Sequence, residues 1–295
     1  TMQFVVMDLE WNGAYCRQTH GYFNEIIEIG AVRLDEKLQP SGEFHAVIRP
    51  QVSDELSSIV RDLTSITPEE LEKEGVPFPT AMEKLQEWLH SRDAVILTWS
   101  TTDLLVMMEN CRYYYEDDRL PFMERYADLQ VYSQQRMGVG TAQQIALGKA
   151  CEFLGIDEDG ADLHRALDDS RLSARILQRI YEADSFAEAV READGEFYDR
   201  IHFKTSIISD IDSPLIKRSA LQFHCPSCNR NMRRTGEWRF RSRAFCADFL
   251  CRGCGKTYSG RVQFKLKYDG VEIKRRLAEQ IPPEEKTAEG ENADG

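Results

Sequence analysis

Five short stretches hold side chains whose types and spacing could do chemistry. They are DLE at 8–10, Asp103 in TTDLL, HRALDD at 164–169, CPSC at 225–228 and CRGC at 251–254. In an extended strand side chains alternate, so Phe4, Val6, Asp8 and Glu10 share one face. Two acids ending an apolar face fit either plain surface carboxylates or groups gathered where strands end and sites form. Asp103 follows AVILTW at the start of a helical stretch, where capping is the ordinary explanation. Asp168 and Asp169 separate by helix geometry. Asp168 shares a face with Arg171, Arg175 and Arg179, a solvated arrangement with an i,i+3 ion pair. Asp169 shares its face with Leu172, Ser173, Ile176 and Ile180, so its carboxylate points at the core and needs a compensating charge. His164 can meet Asp169 only from the loop entering the helix, since five residues turn a helix by about 500°.

Carboxylates that converge need cations. Two unit charges about 4 Å apart repel by roughly 4 kcal/mol at an effective dielectric of 20. All-oxygen ligation suits Mg²⁺ or Mn²⁺, and a pair of such ions suits phosphodiester hydrolysis.

The cysteines point to a different metal. Cys16, Cys111 and Cys151 are scattered and fit buried thiols, while five of the eight lie in residues 225–254. Cys225, Cys228, Cys251 and Cys254 form CxxC–x22–CxxC, a spacing that predicts one structural tetrahedral Zn²⁺. Cys246 and His224 are spare donors. Between the knuckles, Arg233, Arg234, Arg239 and Arg241 interleave with Trp238 and Phe240, residue types that attract phosphates and stack on bases. Alternation in WRFRSRAF would instead send arginines to one strand face and Phe240 to the core. Docking of a protein, or of the acidic tail, fits the same basic segment.

The elements that must position these groups follow from periodicity. Strands are expected at 3–9, 26–34, 43–49 and 94–99. Thr67, Pro68 and Glu70 form a capping box opening a helix. Further helices fit 81–90, 103–115, 142–155 and 167–183, with a short one at 186–193. Three early strands followed by alternating helices and strands predict an α/β fold, a mixed sheet flanked by helices. The expected organisation is a catalytic domain at 1–184, a linker at 185–220, a basic Cys₄ module at 221–276 and an acidic disordered tail at 277–295.

Charge divides in the same places. The net charge of −13 conceals 20 Lys/Arg against 40 Asp/Glu in residues 1–214, and 16 against 4 in residues 215–276. No apolar run is long enough to span a bilayer and no leader pattern opens the chain, so a cytoplasmic protein with no membrane partner is expected.

In combination, DLE at 8–10, EIIEIGAVRL at 25–34, Asp103 in TWSTTDLLVMMENC and HRALDD at 164–169 resemble the DEDDh 3′–5′ exonucleases, DnaQ-like members of the ribonuclease H-like fold. The resemblance covers about residues 2–182. TWSTTDL, Cys111 and GADLHRALDDSRLSARIL resemble the Eri-like and KapD-like branch, which implies RNA rather than DNA as substrate. It implies that Asp8, Glu10, Asp103 and Asp169 hold two Mg²⁺ or Mn²⁺ ions, with Asp8 bridging. Glu10 and His164 would be catalytic, His164 as general base, and the partner a nucleic acid with a free 3′ end. Leu9 and Trp11 are candidate substrate contacts. Many family members carry threonine where this chain has Trp11, which fits either stacking on a terminal base or a place in the core. A DNA exonuclease and a catalytically silent nucleic-acid adaptor are the competing readings. Silence requires a lost ligand, and every ligand position is filled.

Overall fold

The computed structural model describes residues 3–53, 55–90, 92–158, 160 and 164–280. The chain divides into two compact units, residues 1–202 and 203–295.

The first unit is built on a six-stranded mixed sheet. Its strands are β1 (Phe4–Cys16), β2 (Gly21–Leu34), β3 (Pro40–Val47), β4 (Val95–Thr98), β5 (Arg125–Asp128) and β6 (Arg191–Glu192), in the order β3-β2-β1-β4-β5-β6. β1, β2 and β3 are antiparallel neighbours, while β4 joins β1 and β5 joins β4 in parallel. The helices are α1 (Ser58–Thr64), α2 (Pro68–Glu74), α3 (Phe78–Leu89), α4 (Thr102–Tyr115), α5 (Leu129–Met137), α6 (Leu147–Leu154), α7 (Ala166–Ile180), α8 (Ala183–Ala189) and α9 (Gly195–His202).

Alternation along β1 creates two cores. Val5, Met7 and Leu9 pack with the apolar faces of α3, α4 and α9. Phe4 and Val6 pack on the other side with residues of α5, α6, α7 and α8, including Tyr132, Leu172, Ile176 and Phe186. Asp8 and Glu10 continue the Phe4–Val6 face, so both emerge on the α7 side of the sheet.

Several boundaries differ from expectation. β1 runs past residue 9 to Cys16, because a bulge between Glu10 and Trp11 lets its pairing with β2 continue to Gly21. The helix expected at 142–155 begins only at Leu147. The carbonyls of Gly140, Gln143 and Ile145 are instead taken by Gln134, Gln130 and Trp99, which fixes that stretch as a loop. The helix expected to reach residue 183 stops at Ile180, and α8 starts separately at Ala183 with Glu182 as its N-cap. The expected linker at 185–220 is not a separate segment. Phe186, Phe197 and Tyr198 are core residues of the first unit, and Ile216 belongs to the core of the second. Apolar side chains at helical spacing inside a polar stretch carried these attachments.

The second unit has β7 (Ser206–Ile207), a 3₁₀ turn at Arg218–Leu221, β8 (Arg233–Arg234), β9 (Arg239–Arg241), β10 (Ala244–Leu250), β11 (Thr257–Lys267) and β12 (Gly270–Glu279). β12, β11, β10 and β8 lie side by side, with β9 also on β10 and β7 on β11. One sheet face carries Phe245, Phe249, Tyr258, Val262 and Phe264 into the core. The expected acidic tail starts later than residue 277, since β12 pairs with β11 as far as Glu279. Residues 281–295 lie outside the described residues.

Candidate active site and metal centres

Asp8, Glu10 and Asp169 offer carboxylate oxygens that all lie within 4.8 Å of one another. Asp8 and Glu10 are half-buried and Asp169 is buried. Asp103 sits in the first turn of α4, yet it does not cap that helix from an N-cap position. Its Oδ1 accepts the Leu9 N–H at 3.1 Å, tying α4 to the strand segment between the two acids of β1.

The approach of α7 depends on β2. Gly30 pairs with Asp8, and a Cβ on Gly30 would lie 2.2 Å from the backbone of Ala166 and Leu167. Only glycine lets the first turn of α7 come this close, which brings Asp169 over β1. Ser170 Oγ fixes the contact by donating to the Gly30 carbonyl at 3.0 Å.

Glu28 is a residue the sequence reading missed. It lies opposite Glu10 across β1 and β2 and is wholly buried. Its carboxylate accepts from Arg165 Nη2 at 2.6 Å and Nε at 3.0 Å, from His45 Nε2 at 2.7 Å, and from the Ala166 amide at 3.0 Å. Arg165, at the N-cap of α7, makes no side-chain cap, so Glu28 supplies one across the sheet. Arg165 Nη2 also donates to Glu70 at 2.7 Å. The available signal was an acid inside the apolar run of EIIEIG, which must have a partner.

His164 precedes α7 in the left-handed conformation (φ 70°), and its backbone N–H donates to Asp169 Oδ2 at 3.3 Å. It is exposed, and with Asp169, Glu158 and Lys149 it lines an open pocket of about 660 Å³. Asp168 faces away and pairs with Arg171 at 2.8 Å, as the helix count predicts.

The electrostatics follow from the geometry. Burial and then the neighbouring acids Asp103, Asp169 and Glu10 hold the Asp8 carboxyl well above the usual range. Burial, then Asp169, pushes Glu10 up to about 8. Burial raises Asp103 to about 7 and Asp169 to about 6. Glu28 goes the other way: its burial is outweighed by His45 and Arg165, and its carboxyl lies below the ordinary value. Among the described residues, Asp169 Oδ1 is the one buried side-chain polar atom without a hydrogen-bond partner. An orphaned carboxylate oxygen beside two further acids fits a hard divalent cation.

Of the other candidate contacts, Leu9 is a core residue whose amide, not side chain, faces the site. Trp11 is half-buried against the same core. In the second unit Trp238 is half-buried, packs edge-on against Phe249 at 5.8 Å and has Arg234 over its ring at 5.9 Å, so it is no free stacking platform. Phe240 packs on Phe245 at 5.1 Å. Arg233 and Arg241 are exposed, and Arg239 pairs with Asp248 at 3.3 Å.

The four knuckle cysteines meet, with Cys225 and Cys254 sulfurs 3.5 Å apart and Cys228 and Cys251 sulfurs 3.3 Å apart. The two knuckles are the same turn made twice. The Asn229 and Gly255 amides return to the carbonyls of Cys225 and Cys251, both at 2.8 Å, and both residues are left-handed. Against the cost of desolvation, the Tyr258 hydroxyl and nearby amides lower the Cys225 thiol to about 6, and amides lower Cys251, while the facing sulfurs raise Cys228 and push Cys254 up to about 11, so the four cannot all ionise without a cation between them. Cys246 and His224 stand outside the tetrad.

Comparison with known proteins gives one coherent picture. Residues 5–177 match the model of the exonuclease family designated RNase_T. The chain is 29% identical over 188 residues to "Probable 3′-5′ exonuclease KapD" of Bacillus subtilis, covering 62% of this chain and 86% of that protein. It is 29% identical over 172 residues to 3′-5′ exoribonuclease 1 of Mus musculus, covering 54% of this chain and 47% of that one, so it spans about half the length of this relative. The nuclease domain of 3′hExo, a DEDDh family member solved bound to rAMP, superposes with a TM-score of 0.54 at 24% identity, over 65% of this chain and 96% of that one. At that identity the superposition establishes the ribonuclease H-like fold.

Proposed function

The chain belongs to the exonuclease family, as a DEDDh-type member, and on that premise we propose that it is a metal-dependent 3′–5′ exoribonuclease releasing nucleoside 5′-monophosphates. The observation that carries the reading is the convergence of Asp8, Glu10 and Asp169 around an orphaned Asp169 oxygen, with Asp103 tied in through Leu9. Those four carboxylates would hold two Mg²⁺ or Mn²⁺ ions. When bound, the ions supply charge neutralisation at the phosphodiester and acidify water. Asp103 and Asp169 arrive on rigid helices braced against β1 and β2, so the acids need little reorganisation to act together. Glu28 and Arg165 hold the start of α7, and with it His164, at the mouth of the pocket. His164, exposed there, would take a proton from the attacking water. The name of the 3′-5′ exoribonuclease relatives supports RNA as the substrate. One structural Zn²⁺ on Cys225, Cys228, Cys251 and Cys254 would complete the second unit. Free thiols in such a tetrad fit the reducing cytoplasm. No described helix is long and apolar enough to cross a membrane.

The test is an end-labelled assay on matched RNA and DNA single strands with Mg²⁺ or Mn²⁺. Stepwise shortening from the 3′ end, faster on RNA, is expected. Equal or faster loss of DNA overturns the RNA preference, and activity surviving in both Asp8→Asn and His164→Ala overturns the site.

A further inference from the structure

The second unit's sheet has two chemically opposite faces, and the cross-strand register assigns every residue to one of them. Arg239, Cys246, Arg261 and Arg276 are successive partners across β9, β10, β11 and β12, so three arginines stand in one row. Gln263 and Lys274 form the adjacent pair, and Arg241, opposite Ala244, extends the face toward β9. The same register puts Phe245 and Val262 on the opposite face, in the core, with Phe240 on that face but exposed at its β9 edge. Arg261, Gln263, Lys274 and Arg276 together line a pocket of about 270 Å³.

This pocket is a built feature. Arg261 donates to the carbonyls of Arg241 and Ser242, and Gln263 Nε2 donates to the Arg243 carbonyl at 3.0 Å, so the β9–β10 turn is clamped to the face. No carboxylate neutralises Arg261 or Arg276 among the described residues, while Lys274 shares Glu272 with Lys267. Aromatic side chains are absent from the described part of this face, so it offers charge and forked donors without stacking surface.

We propose that this sheet face binds the phosphate backbone of a single-stranded nucleic acid, with Arg261, Lys274 and Arg276 as the phosphate contacts. The choice of occupant follows from charge: three cations around one pocket match successive phosphates, and the lack of aromatic groups makes binding insensitive to base identity. The nuclease reading supplies the reason a strand would be present, but binding to this face does not depend on hydrolysis.

The measurement is fluorescence anisotropy of a labelled single-stranded oligonucleotide of about 20 residues, with full-length, zinc-containing protein carrying Asp8→Asn, across a salt series. Replacing Arg261, Lys274 and Arg276 together by glutamine should weaken binding about 10-fold near 0.1 M salt. It should also flatten the slope of log K against log salt by about 2, since each single-strand phosphate contact contributes about 0.7. Arg275→Gln is the matched control: it lies between two of these residues but faces the other way, over the Phe223 ring at 4.4 Å. Its slope should equal that of the parent; Arg234→Gln, over Trp238, serves if the Arg275 variant melts early. An unchanged slope in the triple variant overturns the proposal. So does a loss in the control of a third or more of that in the triple variant, the share that one charge in three would give by net charge alone. Equally effective competition by a polyglutamate peptide of matched charge overturns it in favour of an acidic protein segment. Hydrolysis surviving in Asp8→Asn would overturn the nuclease reading and leave this result intact.

Discussion

The carboxylate cluster of the first unit draws on positions 8, 10 and 169, with Asp103 held beside it by the Leu9 amide, whereas the thiol cluster of the second needs only two copies of one local turn. The acids arrive on three devices: a strand alternation for Asp8 and Glu10, a cross-link to the Leu9 amide for Asp103, and a close helix approach at Gly30 for Asp169. Each thiol pair arrives by a turn that a handful of residues can make alone. The first site is therefore a consequence of a core that exists without metal, and its charges strain that core. The second unit has a smaller core, and its metal would add to the folding free energy itself.

The comparison breaks most directly at the ligands. Asp8→Asn should lower hydrolysis by at least about 10³-fold, because a metal-held charge contributes several kcal/mol to the barrier. The metal-free first unit should melt no lower, since one source of repulsion is gone. Cys251→Ser should do the reverse, abolishing zinc retention and the cooperative unfolding of residues 203–280 while the first unit keeps its own transition. Separate transitions in calorimetry, with zinc content by metal analysis, check both. An intact second transition in Cys251→Ser would show that the thiols are dispensable.

A smaller effect probes the helix approach. Gly30→Ala places a methyl group against the α7 backbone, and the helix must retreat. A displacement of about 1 Å at a reacting centre costs on the order of 10²-fold in rate, and overpacking costs about 1–3 kcal/mol of stability. Wild-type kinetics in that variant would mean that α7 reaches its position independently of β2.

The pH dependence of the metal-free fold sharpens the claim of strain. Glu10, Asp103 and Asp169 titrate near 8, 7 and 6, all above the unfolded range near 4. Between those values the folded chain binds more protons than the unfolded one, so stability is full at low pH and falls as pH rises through 6 to 8. The first unit should lose several degrees of melting temperature between about pH 5 and pH 8, and Mg²⁺ should restore more of it at pH 8. A rise over that interval would contradict the clustering. Smallest of all, Asp168→Asn should change stability by less than about 0.5 kcal/mol and leave turnover intact, because its pair with Arg171 is solvated.

Much of this was legible beforehand, for stated reasons. The helix count separated Asp169 from Asp168, because it rests on backbone periodicity. Alternation gave the face of Phe240 but not its burial: on the short β9 it touches Phe245 and stays exposed. Gly30 and the Arg261–Arg276 row were not legible, and Glu28 was marked only as an acid in an apolar run, with nothing to name its partner. Each matters through a partner more than 10 residues away on another element. The first turn of the helix expected at 142–155 failed for the same reason: Gln134 takes the Gln143 carbonyl and Gln130 and Trp99 take that of Ile145, from elsewhere in the fold.

The sequence by itself determined the donor chemistry: carboxylates in one set, thiolates in the other, and a basic stretch beside an acidic one. Those properties belong to side-chain type and spacing, which folding leaves unchanged. Tertiary structure alone decided which carboxylates share a volume small enough to repel, what caps α7, and which sheet face collects the arginines. Such facts depend on strand register and on how closely a helix can approach a strand, and neither is written within any one segment.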